Sequence, residues 1–350
     1  MDKNELLNPI RILNWSLKTK VVMAPMTRSF ANNHTGTVGE DIVNYYRRRA
    51  KDCIGLIITE GIIPSLRGKG TFGVPGLYTN AQIDSWRRVT EAVHAEGGKI
   101  VAQLWHVGRL THHELTGGIP PQAPSILKAD GLVHRLRKPY EVPEEMSLDD
   151  IKKVIQEYAL AARNAVKAGF DGVEIHGAHG YLIDQFNSEV TNKRTDEFGG
   201  DIFNRLLFMK EVLKAVISEV GKDKTIIRFS EIKDDIPSYR WANPEENIKA
   251  FIQVFSEVGI QILHPSTNNF TGKIANGMTF HELVRKYWDG IIIGVGNLNV
   301  ETASEAIKKG TIDLAAFGRP LLANPDFVHK IKEGIPIKPY EAATDLKYLN

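Results

Sequence analysis

Short, β-rich apolar runs alternate with longer amphipathic stretches along nearly the whole of the 350-residue chain. Alternation of this kind predicts repeating βα units and a parallel sheet. Eight candidate strands stand out: Lys20–Met26, Gly55–Gly61, Lys99–His106, Gly172–Ala178, Thr225–Glu231, Ile260–Ser266, Gly290–Gly296 and Leu314–Pro320. Eight is the number that closes a barrel, so the expected fold is α/β, a (β/α)8 TIM barrel, with a doubly wound open sheet as its competitor. Helical patterns fill most gaps, among them Asn80–Gly97 and Ser147–Gly169, where Ser147 is a candidate N-cap and Gly169 a C-terminal stop. The first nineteen residues are expected to cap the barrel bottom, with Asn8-Pro-Ile10 and Leu13-Asn-Trp15 as turn and hairpin material.

Two gaps exceed an ordinary connection, Val107–Met146 after strand three and Gly180–Asp201 after strand four. Both follow strand C-termini, where barrel enzymes build their sites, and are expected to form a lid and a pocket wall. No domain boundary is evident, and residues 1–350 read as a single domain.

The last residues of strand four carry the densest candidate chemistry, His176-Gly-Ala-His-Gly-Tyr-Leu182. Period-two alternation turns Val173 and Ile175 to one face and Glu174 and His176 to the other, so two imidazoles and a phenol gather where the apolar run ends. Strands seven and eight end in Gly294-Val-Gly-Asn297 and Phe317-Gly-Arg-Pro320. Glycines there let backbone amides approach an oxyanion, and an Arg adds a planar donor fork. No Gly-x-Gly-x-x-Gly opens a helix after an early strand, which argues against a Rossmann-bound dinucleotide and for a mononucleotide, FMN being the natural candidate.

Composition narrows the remaining classes. The formal charge of +2 and 25% charged residues give no reason to expect DNA, membrane surface or acidic partners. Basic runs such as Arg47-Arg-Arg49 and Lys18-Thr-Lys20 read as solvated surface. Cys53 is the single cysteine, which excludes an intramolecular disulfide and any cluster held by four cysteines of this chain. Its neighbours suggest a small buried hydrophobe and not a nucleophile. The N-terminus lacks a signal-peptide pattern and no run approaches membrane-spanning length, so the expected location is cytoplasmic. A metal-dependent barrel hydrolase using His176, His179 and His112 or His113 is a rival reading, and a noncatalytic flavin-binding protein is another.

Taken in order, several blocks resemble the Old Yellow Enzyme family of FMN-dependent ene-reductases. They are Met23-Ala-Pro-Met-Thr-Arg28, Gly55-Leu-Ile-Ile-Thr-Glu-Gly61, Gln103-Leu-Trp-His-Val-Gly108, the His176 heptapeptide, Asn192-Lys-Arg-Thr-Asp-Glu-Phe-Gly-Gly200 and Ala316-Phe-Gly-Arg-Pro320. The resemblance implies noncovalent FMN, with NADPH or NADH as reducing co-substrate. It places Pro25, Thr27 and Gly61 along the isoalloxazine, and Thr27 suggests the branch nearer the yeast enzymes. Gln103 and Arg228 match residues at the flavin's pyrimidine edge. By alternation Arg228 faces inward, where it needs an anion; the flavin would supply one, and a structural pairing with Glu174 is a second possibility. Gly294, Gly296, Asn297, Gly318 and Arg319 are the expected phosphate end.

By the same resemblance His176 and His179 grip the substrate oxygen, Tyr181 protonates the α-carbon and Trp105 orients the substrate. The implied reaction is ping-pong reduction of an activated alkene, whether an unsaturated aldehyde, ketone, imide or nitroalkene. The expected partner is therefore a small molecule, with no nucleic acid and no membrane, and the protein a monomer or homo-oligomer. Three stretches depart from the family pattern: Ser230-Glu-Ile-Lys233, His264-Pro-Ser-Thr-Asn-Asn-Phe270 and the tail from Tyr340 to Asn350.

Overall fold

The computed structural model describes residues 5–349. Its centre is a closed parallel barrel of eight strands: β1 (Val21–Met23), β2 (Leu56–Ile62), β3 (Ile100–Leu104), β4 (Gly172–His179), β5 (Thr225–Lys233), β6 (Ile262–Ser266), β7 (Ile291–Gly294) and β8 (Leu314–Phe317). Strands neighbour one another in chain order, and β6 closes on β5. The open-sheet alternative is thereby excluded. β1 is shorter than its apolar run because Pro25 has no N–H to continue the ladder. β8 likewise stops at Phe317, where Gly318 leads into the short helix Arg319–Ala323.

Helices α1 (Glu40–Lys51), α2 (Asn80–Ala95) and α3 (Leu148–Lys167) begin the outer ring. α3 starts as its sequence indicates: the Ser147 hydroxyl accepts from Asp150 N–H, and Asp150 answers at the Ser147 backbone. Gly169 follows its end at φ +89°. In α1 the helical period puts Arg49 on the same face as Ile42 and Tyr45. Arg49 is consequently buried under the helix, its guanidinium 3.9 Å above the Tyr45 ring, and is not part of a solvated basic run. Cys53 packs half-buried against the same core.

Alternation along the strands divides the barrel into an outer apolar shell and a layered interior. Val173 and Ile175 join the shell against the helices. Inside, the lowest layer is apolar, including Val101, Ile226, Ile262 and Leu314. An antiparallel hairpin, Ile10–Ile12 with Trp15–Leu17, plugs it from below, as the N-terminal segment was expected to do. Contact is close enough that a Cβ on Gly172 would lie 2.9 Å from the Trp15 ring. One residue pair higher, the interior turns polar: Gln103 is level with Glu174, and Arg228 with His264.

The two long connections differ in character. Residues 107–146 lay Val107, Leu110 and Ala129 on Trp105 and Ile63 at the barrel mouth, forming a wall. Within the second connection the structure has a further helix, α4 (Leu182–Asn187), nucleated where Asp184 accepts from Gly180 N–H. Among the described residues no helix is long and apolar enough to cross a membrane.

Candidate active site

At the C-terminal rim of the barrel three adjoining hollows share the same walls. The largest, about 620 Å³, runs from Pro25 and Arg228 to Gly296, Asn297, Gly318 and Arg319. A second of about 600 Å³ lies under the insertion, between Thr27, Trp105, Leu110, Tyr140 and Tyr181. Between them a recess of about 170 Å³ is bounded by Pro25, Thr27, Gln103, Trp105, His176, His179, Tyr181 and Arg228. Two expected residues stand just behind these surfaces. Gly61 gives its missing side chain to Trp105, whose ring carbon would lie 2.5 Å from a Cβ there. Gly294 remains in β7, where a Cβ would meet Ile312 and Phe270.

The floor is a buried polar network. Glu174 accepts from Gln103 Nε2 at 2.8 Å and faces His264 Nδ1 at 2.6 Å. These partners, not Arg228, hydrogen-bond the Glu174 carboxylate. Arg228 instead donates from Nη2 to Ser266 Oγ at 2.9 Å, while its Nε and Nη1 are buried with no partner among the described residues. Burial lowers the guanidinium's pKa and the Glu174 carboxylate opposes that shift. Buried donors on a half-buried cation that find no acceptor among the described residues mark a place for one from a ligand.

The catalytic candidates meet above this floor. His176 and His179 rings lie 5.9 Å apart, and the Tyr181 ring sits edge-on to both His176 (4.9 Å) and Trp105 (5.1 Å). Burial, reinforced by Arg228, drives the His176 pKa well below its ordinary value, so this imidazole is neutral. Its Nδ1 accepts from Ala178 N–H, which leaves the proton on Nε2. His179 presents Nε2 to Ser266 Oγ at 2.8 Å and Nδ1 to Asp234 at 3.3 Å. Its backbone is left-handed at φ 62°, held by a bond from its N–H to Ser230 Oγ. Burial, together with the Asp234 carboxylate, raises the Tyr181 pKa, keeping the phenol protonated.

At the far end, Gly296 has φ +145° and any Cβ would strike Thr267 and the Phe270 amide. Only glycine lets the chain pass there. His112 and His113 do not join the barrel pair; they turn to Glu141 in the insertion. Two of the atypical stretches prove to be site components: Ser266 bridges Arg228 and His179, and Ser230 holds the His179 N–H, while Asp234, just beyond the Ser230–Lys233 stretch, borders all three hollows. The C-terminal tail returns beside Thr27, where Arg28 donates to the carbonyls of Asp345 and Tyr348.

The profile of the NADH:flavin oxidoreductase / NADH oxidase family matches residues 5–338. The chain belongs to that family. The flavin oxidoreductase hxnT of Emericella nidulans is 36% identical, with 97% of this chain and 93% of that protein aligned. 12-Oxophytodienoate reductase 7 of Oryza sativa subsp. japonica is 34% identical over 97% of this chain and 90% of its own length. Among solved structures, the Old Yellow Enzyme homologue from Zymomonas mobilis superposes with a TM-score of 0.89 at 34% identity, covering 98% of this chain and 99% of that one. Morphinone reductase in complex with tetrahydroNAD superposes at 0.88 and 34% identity, covering 98% and 94%.

As a member of this NADH:flavin oxidoreductase family, the protein is an FMN-dependent oxidoreductase that draws electrons from a nicotinamide nucleotide. FMN chemistry fits the residues present. The free Arg228 donors suit an electron-rich ring edge, and the hollow bounded by Gly296, Asn297, Gly318 and Arg319 offers a place for the phosphate.

Proposed function

We propose that the protein reduces the C=C bond of activated alkenes, namely α,β-unsaturated aldehydes, ketones, imides or nitroalkenes, in a ping-pong cycle with NADH or NADPH. The carrying observation is the convergence of His176, His179 and Tyr181 on the recess that also receives Arg228. Bound FMN would supply the hydride-transfer chemistry that links nicotinamide oxidation to reduction at the alkene β-carbon. Pro25, Thr27, Gln103 and Arg228 would hold its ring, and Gly296, Asn297, Gly318 and Arg319 its phosphate end, with Gly61 and Gly294 backing the two walls from behind.

The chain's own side chains handle the oxygen and the proton. His176 Nε2–H, fixed by the contact at Nδ1, donates to the substrate's carbonyl or nitro oxygen. His179 supplies the second donor when that oxygen replaces its Ser266 contact. Two N–H donors aimed at this oxygen stabilise the negative charge that grows on it. Tyr181 protonates the α-carbon, for which its raised pKa keeps a proton in place. Trp105 and Tyr140 wall the substrate from the insertion side. A relative named for an oxo compound and another, chanoclavine-I aldehyde reductase of Penicillium roqueforti, support a carbonyl-bearing substrate.

The test is anaerobic visible spectroscopy of the FMN-loaded protein, with NADPH added first and 2-cyclohexenone second. Bleaching followed by return of the yellow band is the expected result. Bleaching that no activated alkene reverses would refute alkene reduction and leave a flavoprotein with another oxidant.

A further inference from the structure

We propose that His112, His113 and Glu141 form a zinc-binding clamp that ties together the two arms of the insertion walling the substrate hollow. One ligand atom from each of these side chains lies within 4.8 Å of the other two. His113 meets Glu141 twice, through its N–H and through Nδ1, each at 2.7 Å. His112 Nε2 approaches the same carboxylate at 3.8 Å, and the two imidazole rings lie 4.5 Å apart, tilted by 30°. Ligand atoms about 2.1 Å from a tetrahedral zinc are about 3.4 Å from one another, so closure asks the widest pair to contract by up to about 1.4 Å and the 2.7 Å His113–Glu141 contact to open by about 0.7 Å. Two imidazole nitrogens and one carboxylate oxygen are a donor set suited to zinc, with a coordination position left for water.

The surroundings fit a captured cation. His112 is buried and so its ring is fixed, while the His113 side chain is 48% exposed and offers an entry path. Coordination at His112 Nε2 moves its proton to Nδ1 and gives up one long contact, 3.3 Å from Glu114 N–H. A Glu114–Lys138 ion pair already joins the same two arms. Zinc would lock them more firmly, with a direct effect on the pocket: Leu110 precedes the His pair, Tyr140 precedes Glu141, and both line the hollow with Trp105 and Tyr181. The clamp thus lies outside the flavin recess and acts on the wall.

Calorimetric titration of Zn2+ into the FMN-loaded full chain, stripped beforehand with chelator, tests the site. One equivalent should bind to the native protein. His113→Ala and Glu141→Gln should each weaken binding by more than the roughly 10–100-fold that loss of an outer-shell partner costs, with the flavin spectrum unchanged. Absence of stoichiometric binding, or binding unaltered in both variants, overturns the site. Zinc should also slow amide hydrogen exchange across residues 107–146 in the native protein and not in the variants; equal exchange with and without zinc overturns the clamp. Neither variant touches the residues assigned to alkene reduction, so the outcome is independent of that assignment.

Discussion

Replacing Tyr181 by Phe removes one oxygen and leaves the ring in place. The edge-on contacts to Trp105 at 5.1 Å and His176 at 4.9 Å are made by the ring and survive the change. Among the described residues no hydrogen bond to the Tyr181 hydroxyl is present, so its loss strands no partner, and folding stability should move by no more than about 0.5 kcal/mol. The chemical cost is confined to proton delivery. A positioned general acid contributes about 10²–10⁴-fold, equivalent to about 3–5 kcal/mol of barrier. Anaerobic stopped-flow absorbance separates the two half-reactions. Flavin bleaching by NADPH should stay within about twofold of native, because nicotinamide oxidation needs no proton from this site, while reoxidation by 2-cyclohexenone should slow by about the range above. Equal slowing of both halves would show that Tyr181 positions ligands generally, and unchanged reoxidation would remove it as the proton donor.

Arg228→Met should weaken FMN retention by about 10–150-fold, the equivalent of one charge-assisted hydrogen bond of about 1.5–3 kcal/mol; the ratio of visible to ultraviolet absorbance after gel filtration measures it, and full retention would contradict the ring-edge assignment. Gly61→Ala places a Cβ 2.5 Å from the Trp105 ring, so overpacking should cost about 1–3 kcal/mol and tilt the indole into the substrate hollow, altering product stereochemistry in chiral chromatography while the β2–β3 pairing persists. Stability should fall on acidification below about pH 6.5: burial depresses the pKa values of His106 and His281 to about 3 and also lowers those of His176 and His264. The unfolded chain then binds protons that the folded one refuses, at up to about 1.4 kcal/mol per pH unit per histidine. Glu60, raised to about 7 by burial, works in the opposite sense between about pH 4.5 and 7. Thermal midpoints from pH 7.5 to 5.5 check the balance, and a midpoint that rises steadily toward pH 5.5 would refute the dominance of the histidines.

The parts of this fold that are periodic were the parts legible in the chain. Each of the eight strands lies within or beside an apolar run, and Ser147 and Gly169 bracket their helix because caps act over three or four residues. Strand ends were less legible, since a ladder stops where a partner's donor is missing, as at Pro25. Within the site, Glu174 and Arg228 both face inward as alternation requires. Their partners were not deducible, because Gln103 and His264 reach Glu174 from 71 and 90 residues away. Ser266 had a usable signal: two residues beyond inward His264, it had to face inward as well. Asp234 and Tyr140 had none, as both sit in irregular connections whose course is set by packing at the mouth.

The left-handed backbone at His179 has a consequence for which variants of this site can exist. Asn, Asp and His tolerate that conformation far better than β-branched or bulky residues do. Those tolerant side chains are also compact and polar, and His and Asn carry the N–H donor that the adjoining recess calls for. Geometry and chemistry therefore filter the same position twice. Exploration by mutation is funnelled toward substitutes that keep a donor, and Val, Ile or Thr is rejected at the level of the chain before any substrate is tested. In a saturation library at residue 179, Asn should therefore keep both fold and donor, Gly and Asp should fold without the donor, and Val, Ile and Thr should lower stability by about 1–2 kcal/mol.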